Sequence, residues 1–239
     1  MQIDIALGLM KATVLLAVAS LLTACQFREA MPKHPTSESK SELTRKAAEL
    51  DASFPPEVRE KLAELRKQSE ALPRPTNLLG ETLRSINDKD LDFALSWYVT
   101  ERIRLSGGSR EEVLSEQPAP LQSFYLVWLL EAEVFNGGFN QYFWNVSPEL
   151  VEGTQDALLQ IGATEVLELF RHALSQGKQE SAKRNALKTR QSLEAFTESY
   201  QHSKLEEYDS LFVKVATELP IKRIAYVRAN EANFAKREP

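Results

Sequence analysis

Residues 136–145 read Asn-Gly-Gly-Phe-Asn-Gln-Tyr-Phe-Trp-Asn, directly after a helix-like apolar stretch whose core, 121–130, is Leu-Gln-Ser-Phe-Tyr-Leu-Val-Trp-Leu-Leu. This junction limits the fold more than any other part of the chain, because the backbone must bend where large rings must be packed. Gly137 offers the positive φ that ends a helix, and Gly138 lets backbone or rings approach closely. Phe139, Tyr142, Phe143 and Trp144 supply apolar area at helix-like spacing. Asn136, Asn140, Gln141 and Asn145 can satisfy the polar backbone left over at such a corner. The first reading is therefore a helix-ending corner fixed by rings and buried amides. The second is a platform on which a sugar or peptide ligand stacks, making the chain a binder or hydrolase of peptidoglycan or sugar fragments, with Trp128, Tyr142, Trp144 and Glu133 lining a pocket.

Helical signals continue on both sides. Leu91, Ala94, Leu95, Tyr98, Val99 and Ile103 form one stripe, stopped by Gly107-Gly108. Ser109 with Glu112 predicts a capping box for a short helix ending at Pro118. Pro120 opens the apolar helix, and Ser147-Pro148-Glu149 starts another that stops at Gly162. Thr164 is expected to cap a helix carrying Val166, Leu167, Phe170, Ala173 and Leu174. A longer helix is expected over 179–200, another over 205–217, and a last one from Pro220. Sustained period-two alternation is absent from the chain. The expected fold class is all-α, an irregular multi-helix bundle preceded by a helical stalk.

The first 25 residues read as a targeting segment. Lys11 precedes an apolar run at 12–21, the length of a secretory core and short for a bilayer span. The run leads to Leu22-Thr23-Ala24-Cys25, which resembles a bacterial lipobox, and Cys25 is the sole cysteine. Acylation of its thiol, by palmitate or a similar chain, would anchor the protein in the cell envelope. With Gln26 after the cysteine, the outer membrane is expected in a Gram-negative host. The resulting division is 1–24 signal peptide, 25–42 lipidated tether, 43–80 charged stalk and linker, and 81–239 main domain. In the stalk, Val58, Leu62, Leu65 and Leu72 recur at helical spacing after Pro55-Pro56.

A formal charge of −5 hides a division along the chain. Residues 81–177 carry a net −9 and residues 178–239 a net +3. The acidic half is read either as a solvated helix surface or as a docking face for a basic protein, with Glu131, Glu149, Glu152, Asp156, Glu165 and Glu168 as its candidates. Known catalytic signatures are missing. His34, His172 and His202 lie far apart, and no phosphate loop, nucleophile elbow or zinc motif is present. Glu131 and Glu133, two residues apart on a helix, point about 200° apart and could act as an acid–base pair only if both were drawn into one pocket. Lys183, Arg184, Lys188 and Arg190 cluster without the interleaved aromatics of a nucleic-acid patch; a solvated face explains them. No catalytic residue, metal or cofactor is expected, and no direct nucleic-acid contact.

Glu131-Ala132-Glu133-Val134, the Asn136–Asn145 stretch and Ile161-Gly162-Ala163 together resemble the DNA-mimic protein family. Tyr208-Asp209-Ser210-Leu211-Phe212 is similar to its Leu-Asp-x-x-Phe segment, and residues 220–230 to its final helix. The resemblance covers residues 90–234. It implies an all-α domain in which Glu133, Asn136, Gly137, Gly138, Phe139, Gln141, Tyr142, Phe143, Asn145 and Asp209 are family positions, mainly structural. It further implies a protein partner reached through surface carboxylates, and a possible homodimer.

Overall fold

A computed structural model describes residues 54–201 and 203–234, together with Arg45 and Ala52. The leader, Cys25, the tether and most of the first stalk stretch lie outside the described residues, as do His34 and His202. The chain divides into two compact units after Pro73.

In the first unit, helix α1 spans Pro56–Glu70. Pro56 occupies the first helical position, where its missing N–H costs nothing. No residue of α1 is buried.

The second unit is built of α2 (Gly80–Ser85), α3 (Asp88–Ser106), α4 (Arg110–Ser115), α5 (Ala119–Asn145), α6 (Pro148–Ile161), α7 (Thr164–Gln179), α8 (Ser181–Lys188), α9 (Leu193–Tyr200), α10 (Glu206–Val215) and α11 (Leu219–Ala229). Short 3-10 turns follow at Ala216–Glu218 and Glu231–Asn233. No strand occurs among the described residues, so the expected all-α class holds. Nor is any described helix long and apolar enough to cross a membrane.

Helix α5 is the axis of the unit. Ser123 to Leu130 are buried without interruption, the pattern of a helix surrounded on all sides. It touches α3, α6, α7, α9, α10 and α11. The outer helices are one-sided. Val151, Thr154, Ala157, Leu158 and Ile161 form the inner face of α6, and Val166, Leu167, Phe170, Ala173 and Leu174 that of α7.

Several predicted boundaries are present. Ser109 and Glu112 form the reciprocal capping box, Gly107 ends α3 in the left-handed region, and Gly162 ends α6 in the same way. Two expectations are corrected. Ala163, not Thr164, takes the N-cap position of α7. The single helix expected over 179–200 is two: Gln191 adopts φ +46°, and the Ser192 hydroxyl accepts from Ala195 N to start α9. A serine that caps a new turn competes with continuation of the old one.

Candidate functional site

The double glycine kinks α5 rather than ending it. Gly137 has φ −158° and ψ 28°, Gly138 has φ 74° and ψ −179°, and helical geometry resumes through Asn145. The left-handed φ expected at Gly137 thus falls on Gly138, and both glycines are closely approached. A Cβ on Gly137 would meet the Gln141 amide and, at 2.9 Å, the Tyr200 hydroxyl; one on Gly138 would strike the Asp209 carboxylate.

Those same groups hold the corner. The Phe139 N–H, freed by the kink, donates to Asp209 Oδ1 at 2.8 Å across 70 residues of sequence. Asp209 acts there as a remote N-cap for the resumed helix. Burial raises its pKa; the Phe139 N–H offsets this in part, and nearby Glu206 adds to the rise. The Tyr200 hydroxyl donates to Gly137 O at 2.9 Å. Its pKa is pushed up to about 12, chiefly by burial; a hydrogen bond with Asn140 opposes this, and the charges of Asp209 and Glu133 reinforce it. Asn140 donates to Ser199 Oγ at 2.7 Å.

Glu133 is the polar centre on the other side of the kink. It is only 1% exposed, and its Oε2 accepts from Gln141 Nε2 at 2.9 Å and Asn145 Nδ2 at 2.8 Å. Two side-chain amides thereby bind one carboxylate across the break. Tyr142 and Thr154 share a buried hydroxyl–hydroxyl bond of 2.9 Å. Phe139 packs against Phe143, Phe170 and Phe212, and Tyr142 meets Phe143 and Phe170 edge-on. Such ring contacts add to the burial itself.

The four side chains considered as pocket walls are not gathered around an opening. Trp128 stacks on Tyr125, Trp144 stands edge-on to Phe196, and Tyr142 and Glu133 are closed into the packing. The corner is packed and hydrogen-bonded on both sides, and it kinks the helix where the first reading had the helix end.

The acidic candidates separate into two sets. Glu149, Glu152, Asp156, Glu165 and Glu168 are exposed on α6 and α7. Glu152 pairs with Lys178 and Glu168 with Arg171, while Glu149, Asp156 and Glu165 have no ion pair among the described residues. Glu131 does not belong to this surface: it is 7% exposed and bound to Arg223 at 2.5 Å. Sequence reading placed it outside because its partner lies far down the chain.

That pair is part of a buried cluster which sequence reasoning did not find. Arg223, 1% exposed, binds Asp92 in a two-pronged contact of 2.7 and 2.8 Å and lies over the Phe124 ring. Two carboxylates share one guanidinium. Burial opposes the Arg223 charge, but Asp92 and Glu131 together raise its pKa. Glu131 has its pKa raised by burial, against the pull of Arg223, and Asp92 adds to the rise. The cluster joins α3, α5 and α11. Arg228 repeats the theme nearer the surface, binding Asp88, Glu231 and the carbonyls of Leu83 and Ile86.

No group of described residues is arranged to hold a metal ion. His172 stands exposed on α7. Glu131 and Glu133 are engaged in separate networks, as their spacing predicts.

Residues 115–230 match the family model described as DMP19-like protein. No curated protein and no solved structure matches the chain.

Proposed function

Residues 115–230 form a DMP19-like domain, and from that premise we propose that the chain is a non-catalytic protein-binding module that docks a basic partner through the carboxylates of α6 and α7, at the cell envelope, where acylated Cys25 anchors it. The observation that carries the docking is the set Glu149, Asp156 and Glu165, exposed on two adjacent helices of a DNA-mimic-type domain and free of ion pairs among the described residues. Charges left uncompensated on a surface attract an oppositely charged partner over about one Debye length, roughly 10 Å in 0.1 M salt. Burial of the corner supports this reading over a small-ligand site.

The experiment is capture of partners from envelope extracts on the wild type and on a Glu149→Lys/Asp156→Lys/Glu165→Lys variant, at about 50 mM and about 500 mM salt. A partner held by the wild type at low salt should be lost at high salt and lost from the variant. Equal capture by the two proteins at both salt levels would overturn the proposal.

A further inference from the structure

Helix α1 has no buried residue, yet its side chains are sorted by type around its axis. Val58, Leu62 and Leu65, with Leu72 just beyond its end, form one stripe. Val58 is exposed, and Leu62 and Leu65 are half-buried. At about 100° per residue, Lys61 stands about 65° to one side of that stripe, and Arg66 and Arg59 stand about 75° and 95° to the other. Glu57, Glu60, Glu64 and Glu70 all lie more than about 100° away, on the opposite face with Lys67.

That order has a physical meaning. Charges placed only for solubility have no reason to sort by sign with distance from an apolar stripe. Cations beside the stripe and carboxylates opposite it suit a surface that is apolar within and anionic at its rim. A bilayer with anionic headgroups is such a surface. Aliphatic side chains enter the acyl boundary, while the stems of lysine and arginine run along it and carry their charges to the headgroups. The carboxylates then face water, away from the lipid phosphates.

A second copy of α1 fits the stripe less well. In heptad terms Val58 and Leu65 take d positions and Leu62 an a position, which puts Arg59 and Arg66 at e and Lys61 at g. Parallel pairing sets Lys61 of one copy against Arg66 of the other. Antiparallel pairing also brings cation to cation, so like charges meet along the seam in both cases.

We propose that α1 is an interfacial helix that lays its Val58, Leu62 and Leu65 face on an anionic bilayer surface. Three aliphatic side chains bind weakly by themselves, and each cation near an anionic surface strengthens the contact about fivefold. Reach supplies the rest. The 30 residues 26–55 separate Cys25 from α1, and a fully extended chain of that length spans about 100 Å at most. The bilayer as occupant rests on the envelope reading of Cys25, whereas the contact itself requires no acyl chain.

The test uses the full chain with Cys25→Ala, which removes the sole cysteine and any acylation with it. Leu65→Cys or Glu60→Cys then carries an environment-sensitive fluorophore on the apolar or the opposite face. Vesicles of phosphatidylcholine alone are compared with vesicles of phosphatidylcholine and phosphatidylglycerol in equal parts. On the anionic vesicles the probe at 65 should shift to the blue and lose about half or more of its quenching by acrylamide, while the probe at 60 should do neither. Arg59→Glu/Lys61→Glu, which alters no buried residue, should abolish the response at 65, as should about 500 mM salt. Equal spectra at 65 on the two kinds of vesicle would overturn the proposal. So would equal responses at 60 and 65, or a response unchanged in the double charge variant. A probe at 65 already shifted in buffer without vesicles would show the stripe covered by protein, and would overturn it as well. None of these proteins can be acylated at residue 25, so failure here is distinct from failure of the anchor, which palmitate labelling decides.

Discussion

Gly138 holds φ 74° and ψ −179°, a backbone conformation essentially restricted to glycine, with the Asp209 carboxylate where a Cβ would project. Alanine there meets both the conformational cost and the collision, and the collision displaces the group that caps the resumed helix. Gly138→Ala is expected to destabilise the domain by about 3 kcal/mol, a fall of about 10 °C in melting temperature. Gly107→Ala is the control: it shares the positive φ, but nothing lies within 4 Å of its Cβ position. It should cost only about 1 kcal/mol. Thermal melts of the two variants show how much more the occupied Gly138 conformation costs than an open left-handed one. At this scale the sequence announced the bend and the residue types that settle it. It did not show which glycine would be left-handed, because that depends on Asp209, 70 residues away.

Helices α3, α5 and α11 meet at Asp92, Glu131 and Arg223, and the charge count there has a consequence for pH. The folded-state pKa of Glu131 is raised, so the native protein keeps that proton at a pH where the unfolded chain, titrating near 4.5, has released it. Between the two values the native state binds more protons, and stability must fall as pH rises through that window. Above the folded-state value this contribution is constant. Asp209, also raised, adds a slope of the same sign. Glu131→Gln should therefore flatten, but not abolish, the rise in urea midpoint as pH is lowered from 7 towards 4.5. An identical slope in wild type and variant would refute the assignment. Element boundaries themselves were largely legible: the capping box at Ser109–Glu112, the proline at the start of α6 and the glycine stops of α3 and α6 all stand where local chemistry put them. The break after α8 was not, because Ser192 has neither the following proline of Ser147 nor the glutamate three residues on that marks Ser109. The ion cluster was also hidden, since Asp92 and Arg223 lie 131 residues apart and pairing over that distance leaves no local pattern.

For the molecule as a whole, the lipobox reading makes the sharpest claim. Labelled palmitate should enter the wild type and not Cys25→Ala, with the variant released from the membrane fraction; equal labelling of both would remove the anchor from the proposal. The domain itself carries a different message in its long-range bonds. Arg228, near the end of the last helix, grips the carbonyls of Leu83 and Ile86 near the beginning of the unit, and the turn at Glu231–Asn233 rests against α2. The polypeptide thus enters and leaves this bundle at nearly the same place. Topologically it is a ring with a gap: a short bridge across the gap, with a new opening at any exposed loop, preserves every neighbour relation in the core. A unit with that property can be carried on a tether at one end, inserted into a loop of a host protein, or circularly permuted, without changing the order in which its helices pack.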